Sequence, residues 1–176
     1  MNLYVMRHGR TCWNEKGIIQ GHSNNRLSKT GKEQVQEVAL AHKNTKFDII
    51  VCSPLTRTVQ TANIMNKFHN VKIVKDARIV EINQGKFSGR KRSLMSEEER
   101  VLQQKRLKEN GQETFEEIDV RIKNFFDNVK NEYPFENVLV VTHDICATVI
   151  EYFVSDQKVG FDKIRFDNAQ MKKFVI

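Results

Sequence analysis

Three short apolar runs, each cut off by polar residues, constrain the fold most. Leu3-Tyr4-Val5-Met6 ends at Arg7-His8-Gly9, the run over 47–52 ends at Ser53-Pro54, and the run over 137–141 ends at Thr142-His143-Asp144. Runs this short suit strands covered on both faces better than buried helices. Segments of helical periodicity stand between them, so the pattern reads as an α/β fold with a mainly parallel central sheet. Right-handed crossovers bring the strands' carboxyl ends to one edge, where such sheets hold their ligands. The strands thus deliver Arg7, His8 and His143 to a common edge.

The segments between them are ordinary except in two loops. A polar loop is expected over 10–26, followed by Ser28 as N-cap and a helix over 31–43 with Val35, Val38, Ala39 and His42 turned inward. Ser53 and Pro54 suit the N-cap and first helical positions, which would start the next helix at the strand's end and set Arg57 one turn in, reaching back to the edge. A third strand over 71–74 leads into a second loop with Arg78, Glu81, Gly85 and Gly89. Ser93 or Ser96 opens a charged helical stretch to about Asn110, poor in apolar residues, so the region over about 86–111 is expected to be lid-like. Thr114-Phe115-Glu116-Glu117 has capping-box spacing and starts a core helix through Ile118, Ile122, Phe125, Phe126 and Val129. An apolar helix over 145–154 follows, and two closing strands, 164–166 and 172–176, complete the reading.

With 176 residues and 39% hydrophobic content, the chain suits one domain over 1–176. It has no secretory-signal core and no apolar run of the roughly 18 to 20 residues a bilayer span requires, so a cytoplasmic protein without a membrane partner is expected. Cys12, Cys52 and Cys146 are too widely spaced for a paired motif and are expected as free thiols. The net charge of +7 points to an anionic partner. Acidic clusters such as Glu97-Glu98-Glu99 and Glu116-Glu117 interrupt the basic residues, so nucleic-acid binding is a remote alternative and a small phosphorylated molecule the favoured partner.

The residues at the common edge suit phosphoryl chemistry. Arg7 and Arg57 can fork around a phosphate, because planar guanidinium donors match its oxygens. His8 can accept a phosphoryl group if one ring nitrogen donates to a carbonyl and the other keeps its lone pair. His143 can donate to a phosphoryl oxygen, and Glu81 can protonate a leaving alkoxide and then deprotonate water. Spacing alone would also permit a metal site of His8, Glu81 and His143.

Arg7-His8-Gly9-Arg10-Thr11-Cys12-Trp13-Asn14 resembles the signature of the histidine phosphatase superfamily, the group that includes cofactor-dependent phosphoglycerate mutases. Gln20-Gly21, Leu27-Ser28 and Gly31 are similar to the rest of its first block. Ser53-Pro54-Leu55 with Arg57, Thr61 and Ala62 resembles its second, and Glu81, Gly85 and Gly89 its third. Gly111, Glu113 and Thr114 resemble a fourth, and Val141-Thr142-His143 the last. The resemblance implies a phosphoglycerate mutase-like three-layer α/β/α sandwich with no metal and no cofactor. It implies that His8 is phosphorylated, that Glu81 handles the protons, and that His143 contacts the phosphoryl group. Arg7, Asn14 and Arg57 would bind its oxygens, with Gln20 and Gly21 beside them.

Three positions depart from the family pattern. Asp144 stands where glycine is common, Arg10 where an acid is common, and Asn24 where aspartate is common. Asp144 puts a carboxylate near an anion site unless it is turned away, and Arg10 adds a positive charge beside it. The mutases carry long insertions where this chain has only a short charged segment, 90–110. The reading is therefore a phosphomonoester hydrolase of a small metabolite, with phosphoglycerate mutase-type transfer as the alternative. Lys86, Arg90, Lys91 and Arg92 are candidates for contacting a second anionic group.

Overall fold

The protein is described by a computed structural model over residues 1–155 and 160–176. Its strands are β1 (Asn2–Arg7), β2 (Ile49–Cys52), β3 (Lys72–Lys75), β4 (Asn137–Thr142) and β5 (Met171–Val175), which form one sheet in the order β3-β2-β4-β1-β5. β1, β2, β3 and β4 run parallel, with Asn2 opposite Asn137 and Arg7 opposite Thr142. β5 runs antiparallel along the free edge of β1. β4 is central and every one of its residues is buried, which is why its sequence is so uniformly apolar.

The helices are α1 (Cys12–Glu15), α2 (Lys29–Ala41), α3 (Thr56–Met65), α4 (Glu97–Lys105), α5 (Phe115–Glu132) and α6 (Asp144–Val154). Strand side chains alternate between two cores. Leu3, Val5, Ile49, Val51, Val138 and Val140 pack with Ile118, Ile122, Phe125 and Val129 of α5 and with Ala147 and Ile150 of α6. Tyr4, Met6, Ile50, Cys52, Leu139 and Val141 pack with Val35 and Ala39 of α2 and Ala62 and Met65 of α3. Helices on both faces make the expected α/β/α sandwich. Capping is also as expected: Ser28, Ser96 and Thr114 each accept from a backbone N–H in the first turn of the helix that follows.

Four local expectations are corrected. Ser53 does not cap α3: its hydroxyl meets His143 and accepts from Leu55 N at 3.4 Å, ahead of the first helical turn. The helix begins at Thr56, whose N–H is taken by Asn24 Oδ1 at 2.7 Å, so Asn24 acts as a cap from another segment. The loop over 10–26 contains α1, a single turn with a Thr11–Asn14 capping box; it buries nothing, so it left no apolar pattern. The charged helix α4 stops at Lys105, and 108–110 forms a separate 3-10 turn. Residues 164–166 are not a strand: Ile164 and Phe166 are buried on an irregular segment, and that inward pair imitated strand alternation. All three cysteines are free, and among the described residues no helix is long and apolar enough to cross a membrane.

Candidate active site

β1 ends at Arg7, β2 at Cys52 just before Ser53, and β4 at Thr142 just before His143, so the parallel register sets His8, Ser53 and His143 side by side. His8 and His143 are buried, with ring centroids 5.2 Å apart. Nδ1 of His8 lies 2.7 Å from Gly9 O, so that nitrogen carries the proton and Nε2 keeps its lone pair. Nε2 of His143 lies 2.8 Å from Ser53 Oγ. Nε–H of Arg57 is 3.2 Å from both His8 Nε2 and His143 Nδ1. Burial holds both imidazoles well below their ordinary pKa, and the Arg57 charge pushes the same way. Both rings are therefore neutral, with lone pairs turned to a guanidinium. That cation would repel a metal ion held by His8, Glu81 and His143.

Arg57 is the largest fully buried side chain. Its Nη1 donates to Ser23 O at 2.8 Å and its Nη2 to Gly21 O at 2.9 Å, so the same fork that addresses the histidines ties down the first loop. Burial lowers its pKa to about 10, which still leaves it charged at neutral pH. Gly9 approaches α2 so closely that an added Cβ would lie 2.6 Å from Gly31 O, and a Cβ on Gly31 would lie 1.9 Å from Arg10 O. Both glycines are required by contact between this loop and the first turn of α2.

Arg7, His8, Asn14, Gln20, Gly21 and Glu81 line one cavity of about 590 Å³. Asn14 uses its Oδ1 on the Thr11 N–H and hydroxyl, both at 3.0 Å, which leaves its amide nitrogen as a donor. Gln20 Oε1 takes the same Thr11 hydroxyl at 3.0 Å. The Glu81 carboxyl is raised above its ordinary pKa by burial, against the pull of Arg57. Its segment is clamped: Glu113 pairs with Arg121 through Nη2–Oε2 at 3.0 Å and also accepts from Asn83 N at 3.2 Å, while Arg121 Nη1 donates to Arg78 O at 2.6 Å. His22 Nε2 holds the Glu81 carbonyl at 2.6 Å.

Arg7 is engaged by other partners than Arg57 is. Its Nη1 donates to Phe166 O at 2.5 Å and lies 3.3 Å from Asp144 Oδ2, while its Nε is buried without a partner. Asp144 is thus not turned away: it lines the cavity and neutralises Arg7. Arg10 is exposed and lies outside the cavity lining. Of the four basic residues after Gly85, only Arg92 lines the cavity; Arg90 pairs with Glu99 at 2.7 Å instead.

Sequence reasoning missed Ser53, Arg106 and Arg165 as site residues. Ser53 had a signal, a polar residue at a strand end like His8 and His143, but that signal was assigned to helix capping. Arg106 and Arg165 line the cavity from segments whose approach no spacing announces.

Residues 3–176 match the histidine phosphatase superfamily, branch 1. The chain is 35% identical over 168 residues to the uncharacterized phosphatase PhoE of Bacillus subtilis strain 168, covering 94% of this chain and 83% of that protein. Its structure is similar to a phosphoglycerate mutase from Bacillus anthracis strain Sterne, with a TM-score of 0.84, 26% identity, and coverage of 98% of this chain and 86% of that one. The alpha-ribazole phosphatase from Shigella flexneri shares the fold with a TM-score of 0.85 at 22% identity, covering 98% and 89%.

Proposed function

The chain belongs to the histidine phosphatase superfamily, and from that premise we propose that it hydrolyses small phosphorylated metabolites in the cytoplasm through a phosphohistidine on His8. The observation that carries this reading is the tautomer of His8. With Nδ1–H donated to Gly9 O at 2.7 Å, Nε2 keeps its lone pair at the edge of a cavity that also holds Glu81, and the Arg57 Nε–H that points to it at 3.2 Å must turn to the phosphoryl oxygens for it to attack.

In the first half-reaction, His8 Nε2 attacks phosphorus and the P–O bond to the alcohol breaks. Protonated Glu81 gives its proton to the departing alkoxide. In the second, Glu81 as carboxylate takes a proton from water, the water oxygen attacks phosphorus, and the N–P bond breaks, returning neutral His8 and releasing phosphate. Arg57 and the Asn14 amide hold the phosphoryl oxygens as charge shifts between them, His143 joins them by taking up a proton at Nδ1 once the bound phosphate offsets the Arg57 charge, and Gln20 and Gly21 complete that wall. Arg7 contributes once the phosphate competes with Asp144 for it. No metal, cofactor or nucleic acid has a part in this scheme.

The test is to mix the protein with a labelled aryl phosphate in chelator and trap an acid-labile, base-stable phosphoenzyme. His8→Ala is expected to abolish both label and turnover; a variant that keeps wild-type turnover overturns the mechanism. The alternative, phosphoryl transfer to a second hydroxyl of the substrate, rests on the likeness to a phosphoglycerate mutase. The short elements between Glu81 and Gly111 favour water as acceptor. Release of inorganic phosphate from 3-phosphoglycerate, in place of its isomerisation, distinguishes the two.

A further inference from the structure

Arg106 is 8% exposed, yet it sits in the left-handed backbone region at φ +52, where α4 ends. Helices that end this way generally use glycine there, because any Cβ is strained in that conformation. The helix macrodipole favours a cation at this end but gives no reason to bury one. Among the described residues no carboxylate lies within ion-pair distance of Arg106; its partners are Glu113 O at 3.4 Å and the Phe115 ring, 5.6 Å from centroid to Cζ. The Glu113 carboxylate is committed to Arg121. Burial lowers the pKa of Arg106, and Glu81 is the first charge that offsets it. In the mechanism above, Glu81 must be protonated when the substrate binds, so that compensation is withdrawn at that moment.

Arg106 lines the same cavity as His8, as do the exposed Arg92 and Arg165 and the side chains of Gln103 and Gln104. A cavity of about 590 Å³ is larger than a phosphoryl group needs, so the alcohol part of the substrate occupies the remainder, which Arg106 also lines. The segment that carries Arg106 is fixed: Gln103 Nε2 donates to Gln84 Oε1 at 2.8 Å, Gln112 Nε2 donates to Gln103 O at 2.8 Å, and all three glutamines are buried. The backbone next to the guanidinium is therefore held in place before any ligand arrives.

Resting on the phosphatase reading, we propose that Arg106 is a specificity residue for a second anionic group, carboxylate or phosphate, on the alcohol side of the substrate. A strained, buried cation without a carboxylate partner, on a fixed segment that lines the cavity, is accounted for by a ligand that supplies the missing charge.

Two substrate pairs test it and separate the two anions: 3-phosphoglycerate against glycerol 3-phosphate, and glucose 1,6-bisphosphate against glucose 6-phosphate. The wild-type protein is expected to favour the doubly anionic member of at least one pair by tenfold or more in kcat/KM. Arg106→Gln is expected to bring that ratio to within about twofold of unity, with the change in KM, and Arg106→Lys to restore part of it. A ratio that Arg106→Gln leaves unchanged overturns the proposal, as does a wild-type ratio near one in both pairs. An equal fall for both members means that Arg106 serves Glu81 alone, and that also overturns it. Arg106→Gly, which relieves the left-handed backbone, replaces the glutamine variant if the latter does not fold. Calorimetric binding of the same four compounds to His8→Ala protein reads the subsite without turnover. Absent aryl phosphate hydrolysis overturns the phosphatase reading, whereas normal hydrolysis without anion preference overturns only the subsite.

Discussion

Arg57 donates its Nε–H to Nε2 of His8 across 3.2 Å, so the proposed nucleophile is oriented by the group proposed to face the phosphoryl oxygens. The same guanidinium reaches His143 Nδ1, Gly21 O and Ser23 O. One planar fork thus fixes two rings and a loop, and a lysine ammonium has neither the plane nor the number of directed donors to do so. Arg57→Lys is expected to lower kcat/KM for an aryl phosphate by about 100- to 1,000-fold, the range seen when a preorganised donor is removed. Steady-state kinetics on protein checked by circular dichroism measures this, and a loss under threefold would remove Arg57 from the site.

Ser53 is the third polar residue at a strand end. Its hydroxyl, 2.8 Å from His143 Nε2, fixes that ring so that Nδ1 faces Arg57. Ser53→Ala leaves a buried imidazole nitrogen without its partner, a cost of about 1–3 kcal/mol in stability. Turnover is expected to fall about tenfold with KM little changed, because the ring loses its orientation while the phosphate pocket stays. Rescue by Ser53→Thr separates the hydroxyl's role from simple packing; equal loss in Thr and Ala variants argues that only the small side chain matters.

The buried histidines also make the stability of the fold depend on pH. Both have folded-state pKa values well below 6.5, so as pH falls through 6.5 the unfolded chain binds protons that the folded chain refuses, and stability drops. Glu81 has the opposite sign: its raised pKa adds stability in acid that is lost as pH rises from 4.5 through its folded value. Denaturant unfolding at pH 7.5 and 5.5 is expected to show wild-type protein weaker at the lower pH. His143→Asn should show a shallower slope, by up to about 1.4 kcal/mol per pH unit for the one proton removed. Parallel slopes would mean that His143 is not held neutral.

The sheet and its two helical layers were legible because period-two and period-3.6 apolar patterns are set by burial, and each strand's break into polar residues marked the ligand edge. Arg7, His8 and His143 were placed by that logic alone. What was not legible depends on which partner a polar group chooses. Ser53 looked like a cap because serine before proline suits one, but its hydroxyl meets a histidine from β4. Asn24 carried no signal, since its target, the Thr56 N–H, becomes a neighbour only when the first loop folds over α3. Nor did the spacing of Arg7 and Arg57 announce that Asp144, which lines the cavity, pairs with Arg7.

Asp144 is therefore expected to act as an internal competitor for phosphate. Its Oδ2 is 3.3 Å from Arg7 Nη1, and with side chains 17% and 34% exposed such a pair is worth at most about 1 kcal/mol, or about fivefold in an equilibrium. Asp144 also raises the pKa of Glu81, behind burial as the main cause. Asp144→Asn keeps the shape and removes the charge. It should bind inorganic phosphate about three- to fivefold more tightly, read as a lower competitive inhibition constant. The alkaline limb of kcat for a substrate with a poor leaving group should move to lower pH, because Glu81 gives up its proton sooner. Phosphate inhibition that is unchanged or weaker in this variant would show that Arg7 was never available to the anion, and would leave Arg57 and His143 as its principal partners.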